Sequence, residues 1–230
     1  MAVSERYKKN FETFLQEEFE KVQRSRVCVV GCGGLGGFVC NGLARFGVGH
    51  LTLVDGDSYS ESNLNRQLFS SENVLGEKKA LTVGDSLREI NSGIAVDVRP
   101  VMLTEGNVSD IIKGHDLVID CLDSVTTRRM LARHCSELGI PLVHGAISGL
   151  FGQVACVYPG DGLMEILYSD DHIPPEELRR GNPVFTPQMV ASVQCSEAIK
   201  LLAGRPAIRN KVLYMDLDSL DFEIVDFSDI

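Results

Sequence analysis

The sequence is short of basic residues and has no long apolar run. Its 22 Lys and Arg face 32 Asp and Glu, which gives a formal net charge of −10. Because nucleic acids are bound through clustered Lys and Arg, this balance argues against nucleic acid as a main partner. Gly, Asp, Asn or Arg interrupts every apolar stretch before membrane-spanning length, and the charged first residues do not resemble a signal peptide. We therefore expect a cytoplasmic protein that binds no membrane.

Cysteine pairs in the Cys-x-x-Cys spacing are also absent. The seven cysteines are Cys28, Cys32, Cys40, Cys121, Cys135, Cys156 and Cys195. Cys28 and Cys32 straddle the end of a predicted strand and a glycine turn, where small apolar side chains pack, so a zinc site is not expected. An odd number of cysteines scattered through apolar segments predicts reduced thiols in a reducing compartment.

A strand, a glycine-rich turn, a helix and a second strand follow one another over residues 26–57. Gly31, Gly33 and Gly36 come directly after an apolar run and open the helix, so backbone amides at the helix N-terminus can face a phosphate. Asp55 closes the second strand about 20 residues on, where a carboxylate can accept hydrogen bonds from ribose hydroxyls. The context predicts a nucleotide-binding βαβ unit rather than glycines that only permit a tight turn.

The segment after Asp55 carries basic residues that a plain dinucleotide site does not need. Arg66 lies shortly beyond the acid, and Lys78 and Lys79 begin another helical segment. Arginine grips phosphate oxygens bidentately and lysine supplies a compact charge, so two cations indicate a triphosphate rather than the pyrophosphate of NAD. Taken singly, each would be an ordinary surface charge. Their position after the ribose acid favours the phosphate interpretation.

A third apolar strand, within residues 115–124, ends in two acids. Asp120 and Asp123 lie where the carboxyl ends of strands face the ligand crevice of an open α/β sheet. Asp120 alternates into the strand and is equally consistent with a structural, hydrogen-bonding acid. Asp123 lies beyond the strand and precedes a helix-capping Ser124. It is the better candidate for a Mg²⁺ ligand, because magnesium needs few carboxylates when phosphates and water complete its shell.

Strands and helices alternate along the chain. We predict strands near residues 26–31, 50–55, 94–99, 115–121 and 141–145, and helices near 34–46, 76–91 and 125–139. An N-terminal amphipathic helix should bury an apolar face made of Phe11, Phe14, Leu15, Phe19 and Val22. Residues 149–159 should add a strand and residues 212–227 a hairpin. The pattern predicts a single α/β domain over 1–230: a doubly wound, Rossmann-like, mostly parallel sheet with an N-terminal helix and antiparallel C-terminal strands.

Several short motifs are distributed along nearly the whole chain. They are GCGGLG at 31–36, SNLNRQ at 62–67, GEKK at 76–79, DCLDS at 120–124 and SEAIKLLAG at 196–204, with Arg6 and Tyr7 near the N-terminus. Together they resemble the ThiF/MoeB/HesA family of adenylating enzymes, which activate ubiquitin-like proteins. GCGGLG followed at this distance by SNLNRQ is a highly specific combination.

The resemblance implies an adenylyltransferase that uses MgATP. Arg66 and Lys79 would hold the triphosphate, Asp123 would bind Mg²⁺, and Arg6 would reach the ATP of the neighbouring subunit in a homodimer. The implied nucleotide-binding set is Gly31, Gly33, Gly34, Gly36, Asp55, Asp57, Ser62, Asn63, Asn65, Arg66, Gln67, Lys79, Leu122, Asp123 and Ser124. Charge pattern assigns Arg128 to a solvated helix face, although it falls where relatives have a site-facing residue.

The resemblance also implies a partner, a ubiquitin-like sulfur-carrier protein that ends in Gly-Gly, and a sulfur donor to which the activated carrier passes in molybdopterin or thiamine biosynthesis. A crossover loop at about 159–185 would clamp the carrier's tail. That loop lacks the cysteine with which some relatives capture the carrier, and Cys156 and Cys195 lie in apolar stretches that predict burial. The enzyme is therefore expected to stop at the acyl-adenylate.

Two other interpretations stay open at this point. One is a relative that adenylates a small molecule or a tRNA nucleoside, such as the threonylcarbamoyl-adenosine dehydratase group, although the acidic charge argues against it. The other is a non-catalytic or NAD-binding Rossmann protein, which would leave Arg66 and Lys79 without phosphate partners. The sequence specifies neither the carrier nor the end product.

Overall fold

The computed structural model describes residues 4–169 and 181–228. The strands are β1 (Arg26–Val30), β2 (His50–Val54), β3 (Ala95–Arg99), β4 (Leu117–Asp120), β5 (Leu142–Ser148), β6 (Phe151–Val157), β7 (Lys211–Asp216) and β8 (Asp221–Asp226). The helices are α1 (Gln16–Arg24), α2 (Gly34–Phe46), α3 (Lys79–Ile90), α4 (Val108–Ile112), α5 (Val125–Glu137), α6 (Leu163–Leu167) and α7 (Phe185–Ala203). Short 3-10 turns cover Glu5–Asn10, Glu61–Asn63 and Glu72–Val74.

The described strands form one mixed sheet in the order β3-β2-β1-β4-β5-β6-β7-β8. The first five are parallel, and β6, β7 and β8 join them antiparallel. Val30 is paired with both Val54 and Asp120, so the carboxyl ends of β1, β2 and β4 meet at one edge. The predicted fold class is confirmed, while the extent of the domain over 1–230 stays a prediction.

The turn between β1 and α2 depends on two glycines. Gly31 has a positive φ of 93°, and a Cβ at this position would lie 2.6 Å from the carbonyl oxygen of Cys121. A Cβ at Gly36 would lie 1.7 Å from the carbonyl oxygen of Gly31. The missing side chains therefore let the first turn of α2 pack directly on the loop at the end of β1.

Alternating side chains of the strands pack on opposite faces of the sheet. Val27 and Val29 of β1 belong to a core shared with α2, α3 and α7, whereas Cys28 and Val30 belong to a second core with α4 and α5. Because both faces are covered, the central parallel strands β1, β2 and β4 are apolar and buried almost throughout, whereas the edge strand β3 is partly exposed. Among the described residues, no helix is long and apolar enough to cross a membrane.

The N-terminal segment differs from the prediction. Helix α1 begins only at Gln16, and Leu15, expected on a buried face, is 70% exposed. The Glu18 side chain accepts a hydrogen bond from the Leu15 backbone N–H, which fixes the start of the helix at this point. Phe19 is buried and contacts the rings of Phe11 and Phe46, so the chain itself covers this apolar cluster.

Part of the predicted crossover loop is helical. Helix α6 covers Leu163–Leu167, and α7 begins at Phe185 with Pro187 in its first turn, where proline is tolerated. Residues 170–180, in the middle of the predicted loop, lie outside the described residues. The sequence prediction also contained neither α4 nor α6, because five-residue helices give too short a periodic pattern.

Candidate active site

A cavity of about 930 Å³ opens at the carboxyl ends of β1, β2 and β4. Ligands bind open α/β sheets at such an edge, where the strand order reverses on either side of the first strand. The volume lies in the range of small-molecule sites. Most of the predicted nucleotide-binding residues line it: Gly31, Gly33, Gly34, Asp55, Asp57, Arg66, Gln67, Lys79, Leu122, Asp123 and Ser124.

Asp55 ties the glycine turn to the end of β2. Its Oδ2 accepts a hydrogen bond from the Cys32 backbone N–H at 2.7 Å, and its Oδ1 accepts one from the Asp57 backbone N–H at 2.7 Å. Burial raises the pKa of the Asp55 carboxyl, and the two backbone hydrogen bonds partly offset that effect. The carboxylate predicted to bind ribose therefore also holds the phosphate-facing loop in place.

Two cations stand on the same side of the cavity as the glycine turn. Lys79 is the first residue of α3, and its Nζ lies 3.1 Å from Oδ2 of Asp57. The Lys79 side chain is 9% exposed and that of Asp57 60%, so the lysine is the buried partner. Arg66 is held at the cavity wall because its Nη1 donates to the Ser62 carbonyl oxygen at 2.8 Å and to Asn65 Oδ1 at 2.9 Å.

Asp123 presents an exposed carboxylate to the cavity between β4 and α5. Ser124 caps α5, since its Oγ accepts a hydrogen bond from the Thr127 backbone N–H. Within the described residues, no three or more His, Cys, Asp or Glu side chains are grouped so as to hold a metal ion. A single exposed carboxylate on the cavity wall suits Mg²⁺ held jointly with a nucleotide, because magnesium takes one or two carboxylates, phosphates and water.

A closed ring of hydrogen bonds surrounds the backbone of Leu122, and we call it the Leu122 ring. The Leu122 N–H donates to Asp120 Oδ1 at 2.9 Å, and His144 Nδ1 lies 2.7 Å from Asp120 Oδ2. His144 Nε2 lies 3.0 Å from the Tyr168 hydroxyl, which accepts from Arg128 Nη1 at 3.0 Å. Arg128 closes the ring by donating to the Leu122 carbonyl oxygen through Nε, at 3.0 Å, and Nη2.

The Asp120 and His144 side chains are the most deeply buried part of the Leu122 ring, and their burial favours the neutral imidazole. Asp120 and His144 are fully buried, and burial lowers the pKa of the His144 imidazole. Because a carboxylate only accepts hydrogen bonds, the neutral imidazole carries its proton on Nδ1 and accepts at Nε2. Gln153 Nε2 lies 3.1 Å from both His144 Nε2 and the Tyr168 hydroxyl, so a fifth side chain is bound to the ring, and it lines the cavity as Arg128 and Tyr168 do.

The far half of the cavity is the face of the antiparallel strands. The register aligns Phe151 with Asp216, and Gln153 with Tyr214, and β8 extends the same face with Asp221 and Glu223. The cavity thus has two halves. The half at the glycine turn, which we call the nucleotide half, is rich in backbone amides and cations. The half at the antiparallel strands, which we call the outer half, carries aromatic rings and carboxylates.

Comparison with known proteins identifies the family. The sequence model of one protein family, described as "ThiF family", matches residues 6–229 of this chain. The chain belongs to the ThiF family. Its curated relatives include the molybdopterin-synthase adenylyltransferase of Escherichia coli, 36% identical over 202 residues that span 85% of this chain and 80% of the relative. Another is the sulfur carrier protein adenylyltransferase of Thermus thermophilus, 34% identical over 87% of this chain and 78% of the relative.

Solved structures resemble this ThiF-family chain in fold. The crystal structure of Escherichia coli MccB with ATP superposes with a TM-score of 0.84 at 19% sequence identity, covering 98% of this chain and 72% of that one. Identity at that level supports the shared architecture alone. The predicted family is therefore confirmed by the family model and the curated relatives, and the fold by the structural superposition.

Some residues of the predicted nucleotide set are not on the cavity wall of this ThiF-family chain. Gly36 packs against Gly31. Asn63 is buried and its Oδ1 accepts the Ser60 backbone N–H, which caps a 3-10 turn. Ser62 and Asn65 instead bind Arg66 through backbone and side-chain oxygens. Their roles are to shape the loop that carries Arg66, and whether any of them also contacts a nucleotide stays a prediction.

Arg6 lies at the opposite edge of the sheet from the cavity of its own chain. Its Nη1 donates to the side chain of Asn91, the residue that follows the last residue of α3, whereas Lys79 at the cavity begins the same helix. The twelve residues of α3 separate the two ends by roughly 18 Å at 1.5 Å per residue. The exposed Arg6 side chain therefore has no route to the cavity within one subunit.

Two further expectations are settled by burial. Arg128 is not on a solvated helix face: it is buried and belongs to the Leu122 ring, because the Leu122 carbonyl and the Tyr168 hydroxyl supply its partners. Cys156 is buried as expected, and burial raises the pKa of its thiol. Cys195 as a whole residue is half-buried, and desolvation of its thiol raises the pKa of that group to about 12. Both thiols are thus weak nucleophiles.

Proposed function

We propose that this adenylyltransferase activates the C-terminal carboxylate of a small sulfur-carrier protein, using MgATP. The observation that carries the proposal is one cavity with two different halves. The glycine turn, Arg66 and Lys79 suit a nucleoside triphosphate, while the face of β6, β7 and β8 leaves room beside it for a second, peptide-like substrate. The names of the curated relatives, which include a sulfur carrier protein adenylyltransferase, support the same activity.

In the proposed reaction, the carrier's carboxylate attacks the α-phosphorus of ATP, which forms an acyl-adenylate and releases pyrophosphate. Arg66 and Lys79 bind phosphate oxygens, and the amides of the glycine turn approach them from the other side. Asp123 would hold Mg²⁺, and the bound ion would supply positive charge for the leaving pyrophosphate. The protein's contribution is positioning and electrostatic stabilisation, because the reaction needs no covalent bond to a side chain.

A tail that ends in Gly-Gly suits the outer half of the cavity, because glycine lets a backbone approach a phosphate closely. The activated carrier then passes to a sulfur donor. Cys156 and Cys195 take no part, so Cys156→Ser should retain exchange activity and no carrier adduct should form on non-reducing gels. An adduct that disappears with either cysteine would contradict an enzyme that stops at the acyl-adenylate.

The test is ATP–pyrophosphate exchange with candidate carriers that end in Gly-Gly. Exchange should require the carrier and Mg²⁺, and it should fall by at least roughly 100-fold in Arg66→Ala and in Asp123→Ala, since each removes a charge that stabilises the transition state. A carrier that lacks its last two glycines is the matched control. Calorimetric binding of NAD with no binding of ATP would refute the proposal and favour a dinucleotide-binding protein.

We propose in addition that the active enzyme is a homodimer in which Arg6 completes the partner's cavity. Arg6 is exposed and cannot reach its own cavity, so the function that the family resemblance gives it requires a second subunit. Mixing Arg6→Ala subunits with Asp123→Ala subunits should restore part of the exchange activity, because one hybrid site then carries both native residues. No recovery in subunits shown to exchange, or a monomer in sedimentation, would contradict the trans arginine.

A further inference from the structure

The Leu122 ring holds both backbone polar groups of the residue that precedes Asp123. Asp120 accepts the Leu122 N–H, and Arg128 donates twice to the Leu122 carbonyl oxygen. The two anchors hold the peptide units on either side of the Leu122 Cα, so they restrict both backbone dihedral angles of this residue. The direction in which the next residue, Asp123, leaves the loop is therefore set by the ring.

The anchors are themselves held in place by His144 and Tyr168. His144 donates to Asp120, and the Tyr168 hydroxyl donates to His144 while it accepts from Arg128. Each hydrogen bond therefore orients the next one, and breaking the link through the Tyr168 hydroxyl leaves His144 Nε2 with Gln153 alone and removes one partner of Arg128. Neither His144 nor Tyr168 belongs to a motif that the sequence analysis singled out.

We propose that His144 and Tyr168 are positioning residues, which through the Leu122 ring present the Asp123 carboxylate to Mg²⁺ bound with the nucleotide. The inference rests on the proposed function, because it takes Asp123 as the magnesium ligand. Outer partners that orient a metal ligand typically change metal affinity by about 10- to 100-fold when they are removed. Tyr168 reaches this loop from α6, so a residue distant in sequence controls the geometry of the metal site.

The test uses Tyr168→Phe, which removes one hydroxyl and keeps the aromatic side chain that packs beside the His144 imidazole. Tyr158→Phe is the matched control, because Tyr158 lies at the end of β6, stacks under Arg209 and is outside the Leu122 ring. Three quantities are measured. The first is the Mg²⁺ concentration that half-saturates binding of a non-hydrolysable ATP analogue in calorimetry, and the second is binding of the same analogue without metal. The third is the amide hydrogen exchange of residues 120–124 in the free protein.

Tyr168→Phe should raise the half-saturating Mg²⁺ concentration by about 10-fold. It should also speed amide exchange at Leu122, because the loop opens locally more often, and leave metal-free binding of the analogue within about 2-fold of the wild type. Tyr158→Phe should change none of these. A loss confined to thermal stability, or an unchanged Mg²⁺ requirement in folded Tyr168→Phe, would overturn the proposal.

Arg128→Lys provides a second break in the ring if Tyr168→Phe does not fold. A lysine cannot donate both bonds to Leu122 and one to Tyr168 in the planar geometry of a guanidinium, so the same two shifts are expected. Faster exchange at Leu122 with an unchanged Mg²⁺ requirement would refute the link to the metal. Nucleotide binding that is independent of Mg²⁺ already in the wild type would instead refute the role of Asp123, and this proposal with it.

Discussion

Lys79 and its neighbour Lys78 allow a sharp test of the phosphate-binding assignment. Lys79 lines the cavity and its side chain is almost buried, whereas Lys78 is exposed and its Nζ donates to the Gly56 carbonyl oxygen. We expect Lys79→Met to abolish most exchange activity and Lys78→Met to retain it. Methionine keeps the apolar stem of lysine, so the comparison isolates the charge.

The magnitude follows from two opposing contributions. Removing one donor that stabilises charge in the transition state of a desolvated site costs about 2.7–4 kcal/mol. Against this, Lys79 must give up Asp57, and that pair is worth no more than about 1 kcal/mol because the Asp57 side chain is 60% exposed. The net effect of about 2–4 kcal/mol corresponds to a roughly 30- to 1,000-fold lower rate of exchange.

The assay is carrier-dependent ATP–pyrophosphate exchange, with urea unfolding of each variant as the control for folding. Lys79→Met should unfold within about 1 kcal/mol of the wild type, because its lost partner is a largely exposed carboxylate. Equal losses in both lysine variants, or a loss below about 3-fold in folded Lys79→Met, would refute the assignment of Lys79 to the phosphates.

Two further predictions concern the frame that carries the site. Gly36→Ala should destabilise the fold by at least about 2 kcal/mol in urea unfolding, because its Cβ would lie 1.7 Å from the Gly31 oxygen. Gly106→Ala, whose Cβ would lie 4.0 Å from the nearest atom, should be nearly neutral, and equal effects would contradict the steric argument. Arg205 holds the pKa of the Glu18 carboxyl at about 2, below its usual 4.5, so this pair stabilises the fold above pH 4.5 and its contribution is lost as the pH falls towards 2. The stability difference between wild type and Glu18→Gln should therefore shrink across that range, and a constant difference would show that the carboxylate charge is not responsible.

The nucleotide half of the cavity was predictable because its residues are close in sequence. The glycine turn and Asp55 belong to one βαβ unit, and Arg66 lies on the loop that follows it. Parallel strands bring the carboxyl ends of β1, β2 and β4 together by geometry alone. The periodic pattern likewise predicted each parallel strand and the antiparallel hairpin, because each of these elements is formed by residues that are close in sequence. Boundaries were less accurate where a side chain decides them, as Glu18 does at the start of α1.

The Leu122 ring could not be predicted in the same way. Its members come from β4, α5, β5 and the end of α6, and no fixed spacing links them. In the sequence, nothing distinguishes His144 from any other polar residue near a strand end, because its role depends on partners from other elements. Gln194 of α7 is a similar case, since its Nε2 bridges the carbonyl oxygens of Asp120 and Val143 inside the core.

The position of β6 in the sheet has a consequence for folding while the chain is being synthesised. Its hydrogen-bonding edge is covered by β7, which follows in the chain only after α6 and α7. While the chain is being made, β6 therefore presents the open, largely apolar edge of a sheet that so far consists of β1 to β6. Chains shortened before Lys211 would keep that edge open permanently. We expect them to aggregate by strand pairing even though every cavity residue of the nucleotide half is still present.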